Sequence, residues 1–168
     1  MAVKTPLSPA EYLATAFEGP DREYVRGEIV ERNLGNTVHS RLQARLIALL
    51  AVAFASKPVE VFAELRHRLE DELFRIPDVS VHPRGLSDEV PSTPPIVAAE
   101  IVSPDDRHSD IMAKLEEYAR WGVEHIWLIE PRTQRCYEYR ASGLEAAAAL
   151  AVPSLGIEIR AADLFAAS

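Results

Sequence analysis

Residues Ile96 to Val102 read Ile-Val-Ala-Ala-Glu-Ile-Val, an almost wholly apolar run with one carboxylate set into it. The run stops at Ser103-Pro104-Asp105-Asp106. A short apolar run of this kind is the pattern of a strand covered on both faces. A chain containing it has to supply a layer above and below a sheet. Glu100 is the exception inside the run. A carboxylate there is costly to desolvate unless it is paired, protonated or bound to a cation.

The rest of the chain supplies those layers. Ser8-Pro9-Ala10-Glu11 reads as a capped helix start, with serine as cap, proline at the first helical position and glutamate closing the capping box. That helix is expected to run to about Phe17. Glu23 to Glu31 reads as a strand broken by Gly27. After Asn33 to Asn36, the helical spacing of Val38, Leu42, Leu46, Leu49, Leu50 and Ala53 predicts the main helix. Val59 to Leu69 and Leu73 to His82 read as a hairpin around Glu70-Asp71-Glu72. Pro83 to Pro95 is a loop. Asp110 to Trp121 is helical, capped by Ser109 and ended by Gly122. His125 to Ile129 and Cys136 to Arg140 are strands joined by a turn. Leu144 to Val152 is alanine-rich, yet its place after a hairpin argues for strand. Leu155 to Ile159 is a short strand, and Ala161 to Phe165 a short helix. With no repeat and no linker, residues 1–168 are expected to form a single domain of the α/β class, a sheet sandwiched by helices.

Charge limits the partners. Eighteen basic against 26 acidic residues give a net charge of −8, which opposes non-specific nucleic-acid binding but leaves room for a local basic patch. Cys136 is the lone cysteine, so an intrachain disulfide and a cysteine-rich zinc site are excluded. The first twenty residues lack the apolar core of a signal peptide. The longest apolar run, Leu46 to Ala55, is about half of the ~20 residues that span a bilayer. A cytoplasmic protein with no membrane contact is expected.

One constellation points to chemistry. Asp78 follows Pro77 on the second strand of the expected hairpin, and Glu100 lies in the apolar strand. Two adjacent strands, each carrying one carboxylate, can share a hard cation such as magnesium. A metal-bound water can then attack a phosphodiester while the metal stabilises charge on the phosphate. Of the three lysines, Lys4, Lys57 and Lys114, the last lies on the helix after the Glu100 strand. From there it could orient the water or steady the phosphate charge.

These residues resemble the PD-(D/E)XK nuclease superfamily. The ordered set is more specific: Tyr24-Val25-Arg26-Gly27-Glu28-Ile29-Val30, His39, Ile76-Pro77-Asp78-Val79, Ala99-Glu100-Ile101-Val102-Ser103-Pro104, Lys114, Tyr118, Gly122-Val123 and Ile126-Trp127-Leu128-Ile129. It resembles the Uma-two family of restriction-endonuclease-like proteins, from about Ser8 to Phe165. The resemblance implies a restriction-endonuclease-like core, a mixed central sheet flanked by helices with the site at one edge. The superfamily aspartate maps onto Asp78 and the second acid onto Glu100. The superfamily lysine two residues after that acid is replaced here by Val102, and Lys114 matches the family's relocated lysine. Glu28 and His39 match further family positions near the site.

Each residue also has a plainer reading. Glu100 could pair with a buried arginine, and Asp78 could bond to backbone at a turn. Lys114 could pair with Asp110 on an exposed helix face, worth only ~0.3–0.5 kcal/mol. His39 could belong to a helix cap. Arg22, Arg26, Arg32, Arg41 and Arg45, interleaved with Glu23, Glu28 and Glu31, read as a solvated mixed face rather than a phosphate patch. His67, His82, His108 and His125 show no ligand spacing to one another. Trp121 and Trp127 read as core.

Three functions follow. The first is a magnesium- or manganese-dependent endonuclease acting on DNA. In it Asp78, Glu100 and the carbonyl of Ile101 hold the metal, Lys114 positions water, and Glu28 and His39 assist. The second is a degenerate nuclease fold that binds nucleic acid or a protein partner without cleaving. The third is a self-associating partner-binding module. A two-fold homodimer is expected, because a short nuclease-like domain offers little surface to hold a duplex and cyclic dimers are the commonest soluble assembly.

Overall fold

The computed structural model describes residues 7–33 and 35–166. Along the chain run α1 (Pro9–Ala14), β1 (Glu23–Val25), β2 (Glu28–Val30), α2 (Thr37–Ala53), β3 (Val59–Ala63), β4 (His67–Glu70), β5 (Leu73–Arg75) and β6 (Val79–Pro83). There follow β7 (Val97–Ile101), α3 (His108–Trp121), β8 (His125–Glu130), β9 (Arg135–Arg140), β10 (Gly143–Ala147), β11 (Ala149–Val152), a 3-10 turn (Pro153–Leu155), β12 (Ile157–Arg160) and α4 (Ala161–Phe165).

A six-stranded sheet in the order β10-β9-β8-β7-β6-β3 forms the centre. It is mixed: β7 and β8 are parallel, while β7 pairs antiparallel with β6. The parallel pair needs a crossover, and α3 supplies it. β7 is buried along its whole length, and side-chain alternation sorts its residues between two layers. Val97, Ala99 and Ile101 pack with Leu42, Leu46 and Leu50 of α2. Ala98 goes to the opposite face, among Leu115 and Tyr118 of α3. This is the α/β sandwich that the apolar run demands.

A second, four-stranded sheet in the order β2-β1-β5-β4 packs on the α3 side. Its far face is closed by Tyr12, Tyr24 and Phe74, whose rings lie 5.2–5.9 Å apart. The Ser8 capping box sets α1 against these rings.

The sheet division corrects three expectations. The two long hairpin strands are each cut in two: β3 and β6 belong to the six-stranded sheet, β4 and β5 to the four-stranded one. The ribbon bends across Glu64, which has a left-handed φ of 51°, and across Asp78, whose carbonyl accepts from the Glu64 N–H at 3.2 Å. Glu23 to Glu31 is a hairpin, because Arg26 and Gly27 (φ 48° and 92°) make the left-handed two-residue turn that antiparallel strands favour. Leu144 to Val152 is strand as expected, but split between β10 and β11 in different sheets. Ser109 does not cap α3; Arg107 holds the N-cap position without a side-chain bond, and Gly122 ends the helix with a φ of 103°. Among the described residues no helix is long and apolar enough to cross a membrane.

Candidate active site

The bend that divides the ribbon places Asp78 where the two sheets meet. Its carboxylate turns toward the end of β7 and accepts the Ile101 N–H at Oδ2, 2.8 Å away. His39 Nε2 lies 3.1 Å from the same oxygen. Arg32 donates from Nη2 to Oδ1 at 2.9 Å. Burial alone would raise the Asp78 carboxyl, but these partners outweigh it and hold it below the usual aspartate value.

α2 is built to deliver His39. Asn36 caps the helix, its Oδ1 accepting the N–H groups of Val38 and His39 at 3.0 Å each. The ring then fills the space over Gly35, where a Cβ would lie 2.6 Å from Nδ1. The hydrogen bond to Asp78 raises the His39 pKa against the opposing effect of burial.

Glu100 leaves β7 on the face that meets α3, where Lys114 and Tyr118 stand one turn apart. The Tyr118 hydroxyl donates to Glu100 Oε1 at 2.6 Å. Lys114 Nζ is 3.5 Å from both carboxylate oxygens. Burial pushes the Glu100 carboxyl up to about 7; Lys114 works against that rise, while the charges of Asp78 and Glu23 add to it. Burial is the largest cause of the rise, and the one ammonium beside the carboxylate does not offset it.

Lys114 is shared. Its ammonium lies 2.9 Å from Glu23 Oε1 on β1. Burial opposes the ammonium, but Glu100 and Glu23 outweigh it and hold the amine protonated. Glu23 in turn accepts from Arg75 Nη1 at 2.8 Å and from the Ile76 N–H at 3.0 Å. Arg75 Nε reaches the buried Glu117 of α3 at 2.7 Å. Carboxylates and cations thus alternate from Glu117 through Arg75, Glu23 and Lys114 to Glu100.

Asp78, Glu100, Ile101, Lys114 and His39 line one cavity of about 550 Å³, together with Glu23 and Arg32. More carboxylates than cationic side chains face it. Glu28 is placed elsewhere. It lies on the same face of its hairpin as Glu23, but opposite Val25 at the turn, exposed and outside the cavity lining. Glu23, 1% exposed, holds the position near the site that the sequence pattern suggested for Glu28. Arg32 is likewise drawn in rather than solvated, with its side chain 11% exposed. Spacing did not separate Glu23 from Glu28, since both lie on one face of the hairpin. Nothing local singled out Arg32.

The donor set fits a hard divalent cation. Asp78 and Glu100 offer carboxylate oxygens, and the ammonium beside Glu100 is shared with Glu23. Among the described residues no group of three or more His, Cys, Asp or Glu side chains lies close enough to hold a metal. An ion here would have two side-chain donors and complete its shell with a backbone carbonyl and water, the habit of magnesium.

Known proteins match this chain in two ways. The solved structure of “a putative nuclease belonging to DUF820” from Anabaena variabilis ATCC 29413 has the same fold, with a TM-score of 0.85. It is 24% identical and aligns over 95% of this chain and 98% of that one. No curated protein matches. The sequence model of Uma2, described as “Putative restriction endonuclease”, matches residues 9–162. A match that long, on a chain with this sheet, places the protein in the Uma2 family.

Proposed function

We propose that the cavity is the active centre of a divalent-metal-dependent endonuclease that hydrolyses phosphodiester bonds in DNA. The observation that carries this reading is the convergence of Asp78, Glu100 and Lys114 on one cavity from a bend, a strand and a helix. Family membership and the nuclease-like fold support it.

Asp78, Glu100 and the Ile101 carbonyl would hold magnesium or manganese. The ion supplies a Lewis acid for the phosphate and a more acidic bound water. Asp78 is aimed by the Ile101 N–H and by His39, so its carboxylate is fixed before any ligand arrives. Lys114, protonated between Glu100 and Glu23, acts as a fixed cation that orients the attacking water or meets charge developing on the phosphate. Glu23 positions Lys114 from β1, and in this reading it replaces Glu28. The whole chain works as one domain, and a two-fold pair of copies would give a duplex the contact area that one copy lacks.

The test is plasmid cleavage in manganese with wild type, Asp78→Ala and Glu100→Gln, beside manganese-dependent melting. Cleavage by wild type alone, with a melting shift lost in Asp78→Ala, is the expected result. A shift without cleavage would favour the second reading, a nuclease fold that binds nucleic acid or a protein partner. That reading draws on Val102, where the superfamily pattern has lysine.

A further inference from the structure

Asp78 has little room left for a cation. A carboxylate oxygen offers two lone pairs. Both on Oδ2 are directed at His39 and the Ile101 N–H. An arriving ion must therefore use Oδ1, where Arg32 already takes one of the two lone pairs at 2.9 Å. A guanidinium and a divalent ion on one oxygen repel at contact distance.

We propose that Arg32 is a resident competitor for the divalent ion at Asp78, and that it passes to a substrate phosphate when ion and nucleic acid bind together. The inference rests on the metal-site reading above and gives that site a coupling it would otherwise lack. Arg32 has somewhere to go. Its other branch, Nη1, stands 3.7 Å from Glu64 Oε1, and the Glu64 side chain is half exposed. The Glu64 N–H bonded to the Asp78 carbonyl keeps that second carboxylate beside the site. The planar guanidinium fork also suits a phosphate better than a single carboxylate oxygen.

The surplus of carboxylates in the cavity gives the exchange its direction. A phosphate is repelled until positive charge is added. An ion that enters alone has to displace Arg32 toward Glu64, whereas one that enters with a phosphate leaves the guanidinium a full partner. Each ligand therefore tightens the other, and by linkage the factor is the same in both directions.

Manganese affinity of the full chain, measured by calorimetry with and without a non-hydrolysable oligonucleotide, tests this. Arg32→Gln should bind manganese alone at least about fivefold more tightly than wild type, and the tightening caused by oligonucleotide should shrink to within about twofold. Arg32→Lys keeps the charge but loses the fork. It should bind manganese alone as wild type does and lose most of the coupling, which covers the case of a poorly folded glutamine variant. If Asp78→Asn abolishes manganese binding but Arg32→Gln binds no more tightly than wild type, this inference is overturned and the metal site stands. If wild type binds no manganese, both fall.

Discussion

Lys114 lies closer to Glu23 than to Glu100, 2.9 Å against 3.5 Å. The two carboxylates belong to different sheets, so one ammonium ties the small sheet to the large one at the floor of the cavity.

Glu23→Ala should then be severe. It leaves Arg75 and Lys114 with one fewer buried partner, and breaking a buried pair on one side costs about 3–5 kcal/mol. Glu28→Ala, on the exposed end of the same hairpin, should stay within about 0.5 kcal/mol. Urea midpoints of the two variants measure the contrast. Equal effects would mean that Glu23 is not the support described.

Manganese should raise the melting temperature, because binding to the folded state alone stabilises it by about 2.7 kcal/mol at a hundredfold excess over the dissociation constant. Asp78→Asn should flatten the response. Differential scanning fluorimetry across manganese concentrations reads both, and matching curves would place the ion elsewhere.

Glu100 sets a pH signature in metal-free protein. Its folded pKa of about 7 lies above the ordinary value of 4.5. Between those values the unfolded chain gives up its proton while the folded chain keeps it. Stability is therefore lost as pH rises through that window, by ~3 kcal/mol at most from this group. Glu100→Gln removes the loss. The wild-type stability measured relative to the variant should fall between pH 4.5 and 7 and be level above it. A level difference throughout would contradict the raised value.

His39 should titrate above its ordinary 6.5. A histidine with a raised pKa adds stability that is full below 6.5 and is lost as pH rises through the folded value. In Asp78→Asn the bond to a carboxylate is gone and burial dominates, so the ring should titrate lower than in wild type. Proton NMR of the ring follows this directly.

His67 behaves in the opposite sense. Its Nε2 lies 2.8 Å from His82 Nε2 between nearly parallel rings. Burial, with the His82 charge adding to it, lowers its pKa to about 3. The unfolded chain binds that proton first, so stability falls as pH drops from 6.5 toward 3. His67→Phe should blunt acid unfolding over that range, as seen by circular dichroism.

The sequence was informative where the signal was local. The run around Glu100 announced its own burial, and alternation along β7 was enough to send Glu100 to the α3 face where Lys114 lies. The Ser8 capping box and Gly122 marked helix ends through backbone chemistry that any sequence carries on its surface. What stayed hidden depends on pairing between distant segments. Glu23 and Glu28 have the same hairpin face, and only the register of β1 against β5, Tyr24 with Phe74, brings Glu23 to Arg75. A register has no local signature when both strands are this short. The bend at Glu64 and Asp78 was concealed because the strands on either side read as continuous. Arg32 looked solvated among acids, since its partner lies 46 residues away.

That bend has a mechanical meaning. Asp78 marks where one ribbon crosses from the large sheet to the small one, so the residues that would do the chemistry lie along a seam. Detaching the small sheet would carry off Glu23 and Arg75 and leave Lys114 without its nearer carboxylate, while the six strands and α2, which hold Asp78 through Ile101 and His39, could stay folded. Competence at this centre is thus a property of docking. Amides of β1 and β5 should report its loss in hydrogen exchange before those of β7 and β8 respond.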